Sequence, residues 1–380
     1  MRIREIQAKT ILRKYKKIDS WFIIRYGMNL YRGCAHDCVY CDGRAERYQV
    51  DGEFGKDVAV KTNAIDILRR ELDPARRRVP LKPAFFALGG GVGDSYQPAE
   101  KEFQLTRKAL RLMLDFGYPV HILTKSTLIE RDIDLLKQIN AISKVLVSFS
   151  FSSVDEDTSA LFEPGVPSPD ARLRTLTRLK AAGISCGMFL MPVIPFITDS
   201  PDMIRRCIEK AVENRLDYIV FSGMTLKEGR QMQHFYNMIE RHYPDLTLEY
   251  ETIYSKNPWG QASQAYYDDI HRTFHTISRL YDIPVRIPAT LFSNILELND
   301  LIVVILEQID YLHKLRGQSS PYGYAAYTIS RLKEPITEYR YKLRTLKGIG
   351  TVTERLIAQI IETGQSRYYE HLMYGDKHGA

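Results

Sequence analysis

The 380-residue chain lacks several things whose absence narrows its class. No apolar run approaches the ~20 residues of a membrane-spanning helix; Leu301-Ile-Val-Val-Ile-Leu ends at Glu307. The first residues, Met1-Arg-Ile-Arg-Glu, hold no apolar h-region and no small-residue cleavage site, so no secretion signal is visible. Internal repeats and low-complexity tracts are missing. Cysteine is scarce, at five residues, an odd number that cannot all pair. Together these absences set the expectation of a cytoplasmic protein with reduced thiols. Acid is scarce at the start: residues 1–17 carry Arg2, Arg4, Lys9, Arg13, Lys14, Lys16 and Lys17 against Glu5 alone.

What is present fits a soluble chain with a real core. Hydrophobic residues make up 44% and charged residues 26%, and the length suits one large α/β domain with an appendage. The net charge of +7 is mild, but a second basic run follows the first: Arg69, Arg70, Arg76, Arg77 and Arg78 against Glu71 and Asp73. Such runs either attract a polyanion or form a solvated surface.

Strand and helix patterns alternate through the first two thirds of the chain. An apolar piece over Ile23–Tyr31 leads into a cysteine loop, and strands are expected at Ala84–Leu88, Val120–Leu123, Lys144–Phe151, Ser185–Met191, Asp217–Phe221 and Leu246–Ile253. Helices are expected at 63–72, Glu100–Phe116, Glu130–Ile139, Pro169–Ala182, Pro201–Asn214 and Glu228–His242. This alternation implies a parallel sheet, as a barrel or a doubly wound sheet. About seven strands are fewer than a complete eight-stranded barrel needs. From about residue 291 the pattern is helical, with Leu291–Leu315 as its first helix. The expected divisions are a basic segment at 1–24, an α/β unit at 25–290 and a small all-helical domain at 291–380.

The chemistry gathers in Asn29-Leu-Tyr-Arg-Gly-Cys34-Ala-His-Asp-Cys38-Val-Tyr-Cys41-Asp-Gly. Thiols this crowded either pair or hold a metal, and the odd number favours a metal. Three thiolates leave one position of a four-ligand site open. A zinc site completed by His36 is the alternative.

Strand ends are where a βα barrel keeps its functional groups. Ala84–Leu88 runs into Gly89-Gly90-Gly91-Val-Gly93-Asp94, whose glycines free backbone groups for a ligand. Val120–Leu123 is followed by Lys125, a natural partner for a carboxylate. Ser148 and Ser150 share one face of their strand. Met191, between apolar residues and before Pro192, suits an adenine wall.

The cysteine spacing, with Tyr40 just before the last thiol, resembles the signature of the radical S-adenosylmethionine (radical SAM) superfamily. The resemblance narrows to the spore photoproduct lyase-like family. It rests on Asn29 to Asp42, Gly91-Val-Gly-Asp94, Leu123-Thr-Lys125-Ser126, Ser148-Phe-Ser150, Glu163-Pro-Gly-Val-Pro-Ser-Pro with Arg172-Leu173, and Leu190-Met-Pro-Val-Ile-Pro-Phe. It covers roughly residues 25 to 285. It implies a partial (β/α)6-type parallel barrel, with Cys34, Cys38 and Cys41 holding a [4Fe-4S] cluster. Tyr40, Gly89, Gly90, Gly91, Asp94, Lys125, Ser148, Ser150 and Met191 would then surround S-adenosylmethionine. An electron from the cluster would cleave the sulfonium to a 5′-deoxyadenosyl radical, so an electron donor such as flavodoxin or ferredoxin is implied too. The family's hydrogen-returning cysteine is missing here: glycine stands at or near Gly91. Tyr96 and Cys186 are the candidate hydrogen donors in its place, and Cys207 reads as a buried structural residue.

Near the carboxyl terminus, Leu343-Arg-Thr-Leu346-Lys347-Gly348-Ile349-Gly350-Thr351 resembles a helix-hairpin-helix motif. That resemblance implies phosphate contacts from Lys347, Gly348 and Gly350. Val352 and Glu354 depart from the motif, and residues 301–380 carry eleven Lys and Arg against eight Asp and Glu. The expected activity is radical cleavage on a damaged or modified base in DNA. RNA, a peptide or a small metabolite is the alternative substrate, and a non-catalytic, metal-stabilised nucleic-acid-binding protein is the third reading.

Overall fold

The computed structural model describes residues 1–48, 50–76, 79–89, 92–254, 257 and 259–375. Among them, ten strands run in chain order: β1 (Arg2–Ile6), β2 (Leu12–Asp19), β3 (Ile24–Met28), β4 (Tyr31–Arg32), β5 (Asp57–Lys61), β6 (Phe85–Leu88), β7 (Val120–Thr124), β8 (Val145–Phe151), β9 (Ser185–Val193) and β10 (Tyr218–Gly223). A small sheet has the order β1-β5-β4; the main sheet has the order β10-β9-β8-β7-β6-β3-β2. From β3 to β10 every neighbouring pair in the main sheet is parallel, and β2 closes one edge antiparallel to β3. Six parallel strands make the partial (β/α)6 barrel. β8, a run of Val, Leu, Ser and Phe, is buried along its whole length, as a parallel strand covered on both faces must be.

Helices cover the outside. α1 (Ala64–Leu72), α2 (Glu100–Phe103), α3 (Leu105–Phe116), α4 (Ile133–Ile142), α5 (Glu156–Phe162), α6 (Pro169–Ala181) and α7 (Pro201–Glu213) fill the connections between strands, and α8 (Arg230–His242) comes after β10. α9 (Thr247–Tyr254) and α10 (Gln264–Ser278) follow, then α11 (Leu298–Leu315), α12 (Tyr322–Ser330), α13 (Thr351–Thr363) and α14 (Arg367–Tyr374). The ends of α6 and α7 are written in sequence: Ser168 and Ser200 accept the N–H of the third residue on, with proline at the first helical position. Among the described residues, no helix is long and apolar enough to cross a membrane.

Three expected elements come out differently. Leu246–Ile253 alternates like a strand, yet it is helical from Thr247. Tyr250 and Tyr254, four apart, bury one face and donate their hydroxyls to the carbonyls of Pro195 and Met224, while Leu248 stays exposed. The helix expected over Glu100–Phe116 breaks at Gln104. Glu100 turns its carboxylate to accept the N–H of Thr106 and Arg107, capping α3 from outside. The helix expected over Leu291–Leu315 begins only at Leu298, after a single 3-10 turn at Ala289–Leu291.

The first 24 residues supply β1 and β2. Their charge is partly spent: Arg2 pairs with Asp57 at 2.6 Å, Arg4 with Asp51, and Lys17 with Glu307 at 2.6 Å. In the second basic run, Arg76 pairs with Asp73, and Arg77 and Arg78 lie outside the described residues. The carboxyl-terminal helices share the barrel's core. Arg25 on β3 makes a buried ion pair with Asp300 of α11, its Nε 2.9 Å from Oδ2. The open side between β10 and β2 is bordered by residues 283–287, where Pro284 accepts the N–H of Ile219.

Candidate cofactor site at the carboxyl rim

The cysteine loop leaves β4 and lies over the carboxyl ends of the parallel strands. Distant parts of the chain hold it on every side. Gln97 bonds Gly33 and Ala35, Phe162 accepts the N–H of Val39, and Gly165 donates to the carbonyl of His36. Arg44 turns back onto the carbonyls of Asp37 and Cys38 and lies over the ring of Phe54. Past Cys41, the carboxylate of Asp42 is held by Thr225 at 2.7 Å and Lys227 at 2.5 Å, both just beyond β10. Gln231 of α8 donates to the carbonyl of Tyr40.

All five cysteines are free thiols. Cys34, Cys38 and Cys41 lie near enough to one another for each negative charge to oppose the next. Burial, first, pushes all three pKa values up; Asp94 and then the other two thiols add to the rise at Cys34, and Glu163 and Cys41 add to it at Cys38. Lys125 and Arg172 work against that rise at Cys38. Cys41 Sγ accepts the N–H of Gly43 at 3.4 Å, the kind of bond that tunes cluster sulfurs. Among the described residues, no three His, Cys, Asp or Glu side chains are gathered tightly enough to chelate a single ion. His36, the fourth ligand of the zinc alternative, is engaged elsewhere: Nδ1 donates to the carbonyl of Gly165 at 2.9 Å and Nε2 lies 3.2 Å from Asp94. A spread triangle of two buried thiols and one half-buried, with nearby cations, fits an anionic cluster better than one tetrahedral zinc.

Next to the triangle stands a carboxylate whose centrality the sequence did not reveal. Glu163 is 1% exposed and receives five side-chain donors. They are Lys125 Nζ at 2.8 Å, Arg172 Nη2 at 2.7 Å, Ser152 Oγ at 2.9 Å, Ser159 Oγ at 3.1 Å and the hydroxyl of Tyr40. Burial opposes its ionisation, but Arg172 and Lys125 hold its pKa far below the usual carboxylate range. Lys125 also lies 5.6 Å over the ring of Tyr40 and reaches toward the carbonyl of Ser150. Tyr40, Lys125 and Ser150 are thus brought together at one point of the rim. Ser150 Oγ donates to the carbonyl of Met191 at 2.7 Å, which sets Met191 beside them.

A second carboxylate, Asp94, ties the loop to β7. It accepts from Thr124 at 2.8 Å and from the N–H groups of Lys125 and Tyr96. Burial works against its charge, and His36 with these donors keeps its pKa low. Gly89, with φ of +79° and an ideal Cβ only 2.4 Å from the carbonyl of Leu123, admits no other residue without strain. Gly90 and Gly91 lie outside the described residues.

Other expected site residues lie away from this point of the rim. Ser148 lies deeper in the barrel, in a chain of polar groups. His121 Nδ1 donates to the carbonyl of Phe22, its Nε2 accepts from Ser148, and Ser148 in turn accepts from Tyr218. Burial draws the His121 pKa down to about 4, so the ring is neutral at pH 7. The Ser148 hydroxyl is therefore spent and 0% exposed. Cys186 is in register with Val147, whereas Ser148 is in register with Gly187, so Cys186 faces the helices on the opposite side of the sheet from the serines. Tyr96 is fully buried, its hydroxyl directed to Asp132 at 3.1 Å. Neither candidate hydrogen donor is brought to the Glu163 cluster. Lys347, Gly348 and Gly350 are exposed on a tight turn before α13, with Gly348 at φ of +79° packed on Tyr324. The element before that turn is a 3-10 turn at Leu343–Thr345, shorter than a first helix.

Gly165 shows how closely the loop is fitted. An added Cβ would sit 2.6 Å from the carbonyl of Ala35 and 2.7 Å from that of His36, both backbone atoms of the loop. Gly165→Ala is expected to cost about 1–3 kcal/mol by overpacking. It should also lower the iron held per chain after anaerobic reconstitution, read by elemental analysis. Wild-type iron content in the variant would contradict this fit.

A sequence model of the radical SAM superfamily matches residues 28–207. An uncharacterized protein of Mycobacterium tuberculosis is 32% identical over 259 residues, 67% of this chain and 74% of the relative. Another of Methanocaldococcus jannaschii is 30% identical over 250 residues, 66% of this chain and 85% of the relative. Among solved structures, spore photoproduct lyase complexed with dinucleoside spore photoproduct is similar with a TM-score of 0.54. The match has 17% identity and covers 73% of this chain and 79% of that one. At this identity the likeness is one of fold.

Proposed function

The chain belongs to the radical SAM superfamily, and from that premise we propose that it is an enzyme acting on a damaged or modified base in DNA. The observation that carries the cofactor half is the meeting of the three thiols with Lys125, Gly89 and the Glu163 cluster at one rim. Cys34, Cys38 and Cys41 would hold a [4Fe-4S] cluster, and the open side toward Lys125 and Gly89 would take S-adenosylmethionine. When bound, the pair supplies a 5′-deoxyadenosyl radical that abstracts hydrogen. Lys125 offers a cation to the methionine carboxylate, the Gly89 turn offers bare backbone, and Met191 with Tyr40 offers apolar surface to the adenine.

The substrate half rests on the cavity beside this rim. It measures about 310 Å³ and runs from Gly89 and Asp94 to Arg13, Tyr15, Phe22 and Tyr48. Rings and a guanidinium at a pocket mouth suit a flat base stacked out of its strand. The exposed turn at Lys347–Gly350 adds a surface for backbone phosphate. The fold likeness to a lyase complexed with a dinucleoside photoproduct points the same way. A low-potential carrier such as flavodoxin or ferredoxin would deliver the electron.

The test is a substrate screen. Reconstituted protein with dithionite and S-adenosylmethionine is incubated with irradiated or chemically damaged oligonucleotides, and products are read by mass spectrometry. A mass change that needs both the lesion and S-adenosylmethionine is the expected result. If 5′-deoxyadenosine forms but no DNA changes, while an RNA or peptide does, the DNA reading is wrong.

A further inference from the structure

The outer face of α12 exposes rings where the solvent side of a helix ordinarily carries polar side chains. Tyr322, Ala325, Ala326 and Ile329 turn inward and are buried. Tyr324, Tyr327 and Arg331, three and four residues apart, share the outward face. Tyr324 is 54% exposed and Tyr327 50%, and their rings lie near-parallel, 6.4 Å apart with planes at 22°. A single exposed ring on a surface is ordinary. Two neighbouring rings with a cation at each end suit a ligand that has flat faces and negative charge.

Contacts fix both ends of this strip. At one end Arg331 lies over the ring of Tyr327, 5.6 Å from its centroid, and donates to its hydroxyl at 2.9 Å. At the other end the turn that carries Lys347 rests on Tyr324, since a Cβ on Gly348 would lie 2.3 Å from Cδ1 of that ring. The charge balance favours an anion. Residues 322–350 carry six Lys and Arg against Glu334 and Glu338. Arg340 pairs with Glu362 at 2.9 Å, whereas among the described residues Arg331 and Lys347 make no ion pair. A third ring, Tyr341, is also exposed, in the segment that leads into the turn.

We propose that this strip binds a single strand of DNA, with neighbouring bases stacked on Tyr324 and Tyr327 and the flanking phosphates met by Lys347 and Arg331. Every base has a face that an aromatic ring can stack on, and an unpaired strand leaves those faces free. Lysine and arginine meet the backbone whatever its sequence. The choice of DNA rests on the function proposed above, and the strip narrows that substrate to an unpaired strand. Binding here needs nothing from the cysteine loop.

The test is fluorescence anisotropy of full-length reconstituted protein with labelled oligodeoxythymidylate, a duplex of equal length, an abasic oligomer and oligouridylate. Oligodeoxythymidylate is expected to bind at least about tenfold more tightly than the duplex or the abasic oligomer. Tyr327→Ala should weaken it about tenfold, while Tyr327→Phe keeps the ring and should bind like wild type. Lys347→Gln should weaken binding and lower the slope of log affinity against log salt by about 0.7. This exposed substitution keeps the comparison open if the alanine variant fails to fold. The proposal is overturned if the duplex or the abasic oligomer binds as tightly, if oligouridylate binds more tightly, or if Tyr327→Ala and Lys347→Gln both bind like wild type. Strand binding that depends on Tyr327, with no product in the substrate screen, would support this surface while the lesion reading fails. Lesion turnover without such binding would overturn this surface alone.

Discussion

Glu163→Ala is expected to lose about 3–5 kcal/mol of folding stability, because it leaves buried cations without their counter-charge. Arg172 is fully buried and Lys125 nearly so, and both point at the same carboxylate. Removing that carboxylate also strands Tyr40, Ser152 and Ser159, whose hydroxyls all donate to it. Urea unfolding of the two proteins at pH 7 measures the difference. A loss under about 1 kcal/mol would mean the cluster is weakly coupled, as surface ion pairs are. Glu163→Gln with Arg172→Met should recover part of the loss, since the second change removes the stranded charge.

The same carboxylate sets an acid limit. Its folded pKa is depressed, so its contribution to stability is complete above the unfolded value near 4.3 and fades as pH falls below it toward the folded value. Wild type should therefore lose stability between about pH 4 and pH 2 faster than Glu163→Gln does, the two curves converging in acid.

Cys38→Ala carries the second large effect. A chain with two of the three thiols should hold little iron after reconstitution, and its yield of 5′-deoxyadenosine should fall more than about a hundredfold, beyond what losing an outer-shell partner costs. Cys207→Ala is the control. That thiol is buried on α7, and its removal should leave iron content unchanged. A Cys38→Ala protein with wild-type iron and absorbance would show that the three cysteines are not the ligand set.

The sequence displayed some of this openly and hid the rest for physical reasons. The cysteine spacing is local, so Cys34, Cys38 and Cys41 could be read directly. The period-two alternation of β8 correctly put Ser148 and Ser150 on one face. It could not say that Ser148 sits a layer below the rim, where His121 and Tyr218 consume it. Glu163 and Arg172 stood out as a pattern whose one readable role was an ion pair shaping the site, and they do pair, at 2.7 Å. The partners that make Glu163 a hub, Tyr40 and Lys125, lie 123 and 38 residues away and meet it only once the barrel forms. Cys186 was open to either face until pairing with β8 turned it outward. The segment over Leu246–Ile253 misled because Leu248, Tyr250 and Thr252 alternate with Glu249 and Glu251 as a strand would, and contacts with Pro195 and Met224 decide for the helix. Arg286 gave no sequence signal at all; it lies clamped between the rings of Trp21 and Tyr311.

The central claim is that the cysteine triangle and the rim beside it form a cluster and S-adenosylmethionine site. Its most direct test is anaerobic reconstitution of the wild-type protein with iron and sulfide, followed by dithionite and S-adenosylmethionine. The prediction is about four irons per chain, iron–sulfur absorbance and formation of 5′-deoxyadenosine. Zinc near one per chain, with no iron–sulfur absorbance and no cleavage of S-adenosylmethionine, would contradict it.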